Sequence, residues 1–257
     1  MGTINYTKNQ HIAYIEVSDP EKYNAMSLSM WVELKKAIDD IDADKNIRVC
    51  IMRGNGEKAF VSGANISEFE TQRGSKETSD RYNIAVEEAQ LSLSDCRVPV
   101  IAAISGICYG GGLGLALSCD MRYASPNSKF RMPAGRLGLG YGYRNMQQFL
   151  ANLGPIFTSE AFFSANVYPA VDAEKMGIIN SVKDDVFGYT KALAEQIASN
   201  APLTIQAAKR AMRSIIQSDT SNIDSINAQI NACFVSKDYA EGRKAFAEKR
   251  QPDFKGE

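Results

Sequence analysis

The sequence predicts an α/β protein in which a mainly parallel sheet is covered by helices and followed by a helical tail. Strand-like apolar segments alternate with amphipathic helical segments in the first half of the chain, and helical patterns dominate from Tyr143 onward. One segment, residues 98–104, is apolar enough to be buried on both faces, as strands of parallel sheets are. We therefore expect an α/β core over residues 1–200 and a helical region over residues 201–257.

The first elements follow from local periodicity. Residues 11–17 alternate like a half-buried strand, and residues 19–24 form a turn. A helix begins near Ser27, which can cap its first turn, because six apolar residues share one face at helical spacing. These residues are Met30, Trp31, Leu34, Ala37, Ile38 and Ile41. Residues 46–53 predict a second, more buried strand.

The middle of the chain contains a loop and a short helix over residues 59–72, and then a polar stretch over residues 73–79 that we expect to be mobile. A helix follows over residues 80–95, and then the buried strand. Later elements are, in order, a helix over 113–118, strands at 121–124 and 178–182, and amphipathic helices over 202–218, 223–235 and 239–249.

Composition excludes several classes of function. The chain has 257 residues, with 29 Lys and Arg against 30 Asp and Glu, and these charges are interspersed, so nucleic acid is not an expected partner. The N-terminus lacks the pattern of a signal or transit peptide, and no segment has the length and apolarity of a membrane span, so we expect a cytoplasmic protein without a membrane partner.

Metal and triad chemistry are also not expected. His11 is the only histidine, which argues against zinc clusters and against Ser/His or Cys/His triads. The five cysteines are widely spaced, odd in number and mostly set among apolar neighbours, as reduced core residues are. They are Cys50, Cys96, Cys108, Cys119 and Cys233.

Three consecutive glycines, Gly110–Gly112, stand where an apolar strand gives way to an apolar helix. Glycines at a helix start let bare N–H groups face an anion, or an oxyanion that exists only during a reaction. Close packing of a helix on a sheet also requires glycine without any ligand. The nearby Gly63–Ala64 pair favours the binding interpretation.

Three stretches, taken in order, resemble the crotonase family, also called the enoyl-CoA hydratase/isomerase family. Residues 57–66 (EKAFVSGANI) are similar to its F-x-x-G-A-D-I segment, with Asn65 in place of the aspartate. Residues 99–112 (PVIAAISGICYGGG) are similar to P-V-I-A-A-x-x-G-x-x-x-G-G-G, and residues 130–138 begin with the related FRMP. Supporting similarities lie at residues 20–25, 173–181 and 241–250.

The resemblance implies a crotonase-like spiral of ββα units with a C-terminal helical trimerisation region, assembled as a homotrimer or a dimer of trimers. It implies an acyl-CoA substrate and no permanently bound cofactor, because coenzyme A arrives as part of the substrate. The N–H groups of Ala64 and Gly111 then polarise the thioester carbonyl and stabilise an enolate. Residues that match CoA-contacting regions of the family are Lys22, Ala64, Ile66, Phe246 and Lys249, although a solvated surface lysine is an equally good account of each lysine.

The sequence departs from the family at its two hydratase glutamates, whose positions are Gly114 and Ala134. Neither residue can carry a proton, so efficient hydration is not expected. Tyr141 lies in the loop that lines the acyl pocket, as in decarboxylases of the family, and either orients a substrate carboxylate, donates a proton or simply forms a wall. Glu68 either faces the cavity as a catalytic group or favours a helix N-terminus.

Four further residues could have chemical or structural roles. Arg136 either pairs with a substrate carboxylate or forms a surface salt bridge, whereas Cys108, Tyr109 and Asp120 are expected to have packing and structural roles. The resulting hypothesis is an acyl-CoA enzyme of the decarboxylase or isomerase type, and the alternative is a protein that binds acyl-CoA without turning it over.

Overall fold

The computed structural model describes residues 2–68 and 74–257 and confirms the α/β class. The strands are β1 Thr3–Asn9, β2 Ile12–Ser18, β3 Val49–Gly54, β4 Ala59–Val61, β5 Val100–Ile104, β6 Ile107–Tyr109, β7 Met121–Ala124, β8 Lys129–Arg131, β9 Tyr168–Pro169 and β10 Ser181–Val182. The α-helices are α1 Leu28–Ala43, α2 Lys76–Asp95, α3 Gly111–Ser118, α4 Ala134–Leu137, α5 Tyr143–Ser164, α6 Ala170–Lys175, α7 Val186–Ala198, α8 Pro202–Gln217, α9 Ile223–Phe234 and α10 Lys237–Glu248.

The larger sheet has the strand order β1-β2-β3-β5-β7-β10. Only β1 and β2 pair antiparallel, and the other neighbours pair parallel, as predicted. Every residue of β5 is buried, because helices cover both faces of this central strand.

A second, smaller sheet has the order β4-β6-β8-β9. Its strands are two or three residues long, too short for an alternating pattern, so the sequence analysis missed β6, β8 and β9 and was wrong to place residues 59–61, which form β4, in a loop. The sequence analysis also missed β1, where only Ile4 and Tyr6 are apolar and most side chains are exposed. The glycine run therefore follows β6 rather than the buried strand β5 directly.

Helix α1 confirms the predicted cap and face. The Ser27 hydroxyl accepts a hydrogen bond from the Met30 N–H, and the six predicted apolar residues are buried. The predicted start of the next helix at residue 80 is wrong. Ser75 and Thr78 form a reciprocal capping box, so α2 begins at Lys76 and residues 76–79 are its first turn. Residues 69–72 of the predicted short helix and residue 73 of the predicted polar stretch lie outside the described residues.

The C-terminal part is helical, as predicted, and α8 is fixed to the sheet by a buried lysine. Lys209 is 4% exposed and donates to the Val98 carbonyl at 2.8 Å and to Asp120 Oδ2 at 2.7 Å. The same carboxylate oxygen accepts the Val100 N–H at 2.7 Å, which confirms a structural role for Asp120. Among the helices of the described residues, none combines the length and apolarity needed to cross a bilayer.

Candidate active site

A cavity of about 220 Å³ opens between α1, α2, the start of α3 and the segment that leads from α4 into α5. Four of the residues singled out from the sequence lie in its wall: Ala64, Ile66, Gly111 and Tyr141. Trp31 from α1 also lines it, held by a hydrogen bond from its indole N–H to the Tyr82 hydroxyl at 3.0 Å. Segments distant in sequence thus converge on one concave surface.

The glycine turn at the base of this cavity needs glycine at two positions for different reasons. Gly110 has φ 51° and ψ −115°, a backbone conformation that residues with a Cβ rarely adopt. It turns the chain from β6 into α3. A Cβ on Gly112 would lie 2.1 Å from the Val61 carbonyl oxygen, so only glycine lets α3 approach the end of β4. The start of α3 is therefore held beside residues 63–64.

Two backbone N–H groups meet at this point. Gly111 is the first residue of α3, where the N–H has no partner within the helix, and a Cβ on Gly111 would lie 4.0 Å from Ala64 N. Ala64 is held by the flanking bonds from the Met26 N–H to the Gly63 carbonyl and from the Asn65 N–H to the Met26 carbonyl, both 2.8 Å. Within the described part of the chain, neither the Ala64 nor the Gly111 N–H donates to another residue.

Two features of these adjacent donors are relevant to binding of negative charge. Ala64 and Gly111 both line the cavity, and Gly111 lies at the positive end of α3. The arrangement can therefore stabilise negative charge that develops on a carbonyl oxygen placed between them.

Gly114 and Ala134, the positions of the two expected glutamates, are also in this region. The packing around each position explains the small residue found there. A Cβ on Gly114 would lie 2.5 Å from Gln90 Nε2 and 2.9 Å from the Tyr141 hydroxyl, so other side chains already occupy the space. Ala134 is buried and lines the cavity at the start of α4. Neither position presents a proton-transfer group.

Tyr141 is held by an aromatic cluster. Its ring makes edge contacts with Phe149 and Phe162, with centroids 5.5 and 5.1 Å away. Burial raises the pKa of the Tyr141 hydroxyl well above its ordinary value, so the group is protonated at neutral pH. In the described part of the chain this hydroxyl makes no hydrogen bond, and it is available as a donor to a molecule in the cavity.

Comparison with known proteins places the chain in a family. A family model described as enoyl-CoA hydratase/isomerase matches residues 7–257. The chain belongs to the enoyl-CoA hydratase/isomerase family. This confirms the resemblance drawn from the motifs around Ala64 and Gly111.

Individual members of the enoyl-CoA hydratase/isomerase family are similar over almost the whole chain. A crotonyl-CoA hydratase from Syntrophomonas wolfei is 30% identical over 250 residues, covering 96% of this chain and 95% of that protein. The crystal structure of an enoyl-CoA hydratase/carnithine racemase from Magnetospirillum magneticum is 34% identical with a TM-score of 0.93, covering 100% of this chain and 97% of that one. An enoyl-CoA hydratase structure from Bacillus anthracis is 29% identical with a TM-score of 0.92, covering 99% of each chain. The crotonase-like fold is confirmed by these structures.

The Glu68 carboxylate points toward the N-terminus of α1. One of its carboxylate oxygens accepts the Leu28 N–H at the start of α1 at 3.2 Å, and the other accepts Asn65 Nδ2 at 3.1 Å. A carboxylate at a helix N-terminus is favoured by the helix dipole. Asn65 also accepts from the Ser67 hydroxyl at 2.7 Å, so these residues form a local polar cluster beside Ala64.

The residues expected to contact coenzyme A fall in two places. Ile66 is exposed at the cavity, and the Lys22 ammonium donates to the Ser67 hydroxyl at 3.2 Å, which places a positive charge near the same edge. Phe246 is 88% exposed and lines a separate groove of about 780 Å³ between α8, α9 and α10. Lys249 ends α10 in a left-handed conformation and is exposed.

The sequence analysis missed three polar residues of the site. Gln90 is 5% exposed and donates to the Gly111 carbonyl at 3.5 Å, and Asn145 Nδ2 donates to Gln90 Oε1 at 2.9 Å. Glu87, one turn before Gln90 on α2, lines the cavity. None of these residues belongs to a local motif, and only the packing of α2 on α3 brings them to the glycine turn.

Cys108 and Arg136, the remaining candidates from the sequence, do not line the cavity. Cys108 is fully buried, and burial raises the pKa of its thiol well above the ordinary value, which confirms a packing role. Arg136 is exposed on α4. Among the described residues, no group of three or more His, Cys, Asp or Glu is arranged to hold a metal ion.

Proposed function

We propose that this protein acts on an acyl-CoA thioester through an enolate, and that its reaction is a decarboxylation or a double-bond isomerisation rather than efficient hydration. The observation that carries the proposal is the proximity of Ala64 and Gly111 at a cavity lined by Ala134, with Gly114 packed behind it against Gln90 and Tyr141. The donors stabilise the enolate oxygen. The hydratase pair that would activate water is missing.

Binding of the coenzyme portion is part of the same proposal. The Lys22 ammonium beside Ser67 suits a phosphate, and exposed Ile66 suits the edge of an adenine or pantetheine group. In the proposed homotrimer or dimer of trimers, Phe246 and Lys249 would contact CoA bound by a neighbouring subunit. No permanently held cofactor is required.

Tyr141 is proposed to orient the acyl group by donating a hydrogen bond. Burial raises the pKa of its hydroxyl, which favours the protonated form and the role of a donor over that of a base. Glu68 is the second candidate for proton transfer, although its bonds to the Leu28 N–H and Asn65 compete with that role.

The test is incubation of the pure protein with enoyl-, β-keto- and malonyl-type CoA thioesters, with products followed by mass spectrometry. We expect decarboxylation or isomerisation, and brisk hydration of crotonyl-CoA would contradict the argument from Gly114 and Ala134. Tyr141→Phe keeps the aromatic packing and removes the hydroxyl, so it should lower kcat. Tyr143→Phe, at an exposed neighbouring position, is the matched control and should not.

A non-catalytic acyl-CoA-binding protein is the second candidate. The observation that favours it is the same cavity, where oxyanion donors are retained without either glutamate. Tight binding by calorimetry with no product from any thioester would support it. Activity that Tyr141→Phe abolishes while binding is retained would exclude it.

A further inference from the structure

One acidic side chain lines the candidate cavity among the described residues, and it comes from a helix that carries neither expected glutamate. Glu87 lies on the face of α2 that also presents Asn83 and Gln90, because residues three and four apart share a helix face. A Cβ on Gly142 would lie 3.5 Å from Glu87 Oε2. The carboxylate therefore lies against the loop that carries Tyr141.

The charge of Glu87 is only loosely neutralised. Among the described residues, Glu87 forms an ion pair with Arg144, whose Nε lies 3.8 Å from Oε1, and the Arg144 side chain is mostly exposed. Exposed pairs at such distances are weak and easily exchanged for water or a ligand. Glu87 is thus a carboxylate with free lone pairs at the cavity wall, able to accept a proton from a bound molecule.

We propose that Glu87 is the proton-transfer group of this site and that the protein isomerises the double bond of an uncharged enoyl-CoA. This inference rests on the proposed function and selects between its two branches. Glu87 removes a proton from the α carbon of a β,γ-unsaturated thioester, and the C–H electron pair moves into a dienolate. Its negative oxygen lies between the Ala64 and Gly111 N–H groups. Glu87 then returns the proton to the γ carbon, which yields the α,β-unsaturated thioester with no net gain or loss of protons or electrons.

The charge of the cavity argues against the decarboxylation branch. The described lining residues include Glu87 but no lysine or arginine. A malonyl-type substrate would bring a second carboxylate next to this one without a compensating cation in the wall, and such like-charge contacts are unfavourable. An enoyl chain has no such cost and fits among Val86, Leu137 and Leu139.

The experiment compares Glu87→Gln with Glu88→Gln in the full-length protein. Glu88 is the exposed neighbour on α2, so it controls for loss of a charge from this helix. Conversion of vinylacetyl-CoA to crotonyl-CoA is followed by ultraviolet absorbance, and deuterium uptake from deuterium oxide by mass spectrometry. Binding of unreactive butyryl-CoA and the melting temperature report on structure.

We expect the wild type and Glu88→Gln to isomerise vinylacetyl-CoA equally. Glu87→Gln should lower kcat by about 10²-fold or more, the usual contribution of a general acid–base group, with butyryl-CoA affinity and melting temperature retained. Equal activity of Glu87→Gln and wild type would overturn the role of Glu87 and leave the proposed function standing. Decarboxylation of malonyl-CoA that Glu87→Gln leaves unchanged or accelerates would do the same. A wild type that neither binds nor converts any thioester would overturn the proposed function itself.

Discussion

Substitution of Gly114 tests the idea that Gln90 and Tyr141 fill the space of a missing side chain. In Gly114→Ala the new Cβ would lie 2.5 Å from Gln90 Nε2, 3.2 Å from Gln90 Cδ and 2.9 Å from the Tyr141 hydroxyl. Overpacking of this kind costs about 1–3 kcal/mol. Alanine instead of glycine within a helix gains about 1 kcal/mol. The free energy of unfolding should therefore fall by about 0–2 kcal/mol, since the clash outweighs the gain in helix propensity.

The quantity that tests this idea is the coupling free energy between Gly114→Ala and Gln90→Ala. Removing the Gln90 amide relieves the shortest contact, at 2.5 Å, and leaves the 2.9 Å approach to the Tyr141 hydroxyl, so in that background Gly114→Ala should be less destabilising. The double-mutant cycle should give a coupling of about 1–3 kcal/mol, within the range found for residues in contact. Adding Tyr141→Phe, which removes the other close atom, should increase the stability of Gly114→Ala further.

Thermal unfolding at fixed protein concentration measures these differences, at about 2–4 °C per kcal/mol for a chain of this size. Gly242→Ala is the matched control, because this glycine lies within α10 and its Cβ would meet Phe254 at an ordinary 3.5 Å. It should stabilise the protein equally with and without Gln90→Ala. If Gly114→Ala stabilised the protein as this control does, or if its coupling free energy with Gln90→Ala were below about 0.5 kcal/mol, the idea that Gln90 and Tyr141 fill the space at position 114 would be refuted.

Three other predictions concern stability and reactivity. Burial raises the pKa of the Cys50, Cys96, Cys108 and Cys119 thiols, whereas Cys233 is only partly buried, so iodoacetamide and mass spectrometry at mildly alkaline pH should find Cys233 labelled first in the native protein; equal labelling of all five cysteines would contradict this. Lys209→Met leaves the partly buried Asp120 carboxylate without its cation and should lower the unfolding free energy by about 3 kcal/mol, measured by urea denaturation; an unchanged midpoint would exclude a stabilising pair. The bonds from Arg250 lower the pKa of Glu241 from 4.5 to about 2, so this contribution is present above pH 4.5 and is lost as the pH falls toward 2; melting curves of Glu241→Gln and wild type should converge over that interval, and a constant difference would argue against it.

The order of the main elements follows from the sequence because their signals are local. Six apolar residues at helical spacing behind Ser27 define α1, and an unbroken apolar run defines β5. The second sheet carries no comparable signal, since strands of two or three residues depend on neighbours for their hydrogen bonds. The start of α2 at Lys76 was missed because its polar first turn is stabilised by the Ser75 and Thr78 side chains rather than by an apolar face.

The backbone groups of the candidate site were predictable because their sequence signals are also local. Glycines at 110–112 and the pair at 63–64 are recognisable in the sequence, and the structure brings Gly111 and Ala64 together. The side-chain half depends on contacts between helices that are far apart in sequence. Strands β5 and β6 lie between the helices that carry Gln90 and Gly114, so the overlap of Gln90 with a side chain at 114 can be recognised only once α2 and α3 are packed.

In our proposal the oxyanion donors are backbone atoms and the acid–base group is a side chain, so the two respond differently to substitution. The donors at Ala64 and Gly111 are backbone atoms fixed by close approaches that allow only glycine at 112, so most substitutions nearby would disturb the fold before they altered the chemistry. The side chains around these two N–H groups can be substituted together if their total volume is conserved. A glutamate placed at 114 would meet Gln90 and Tyr141, because a Cβ there already lies 2.5 and 2.9 Å from the ends of these side chains. In our proposal, proton transfer is therefore assigned to Glu87 on α2 rather than to a residue of α3 or α4.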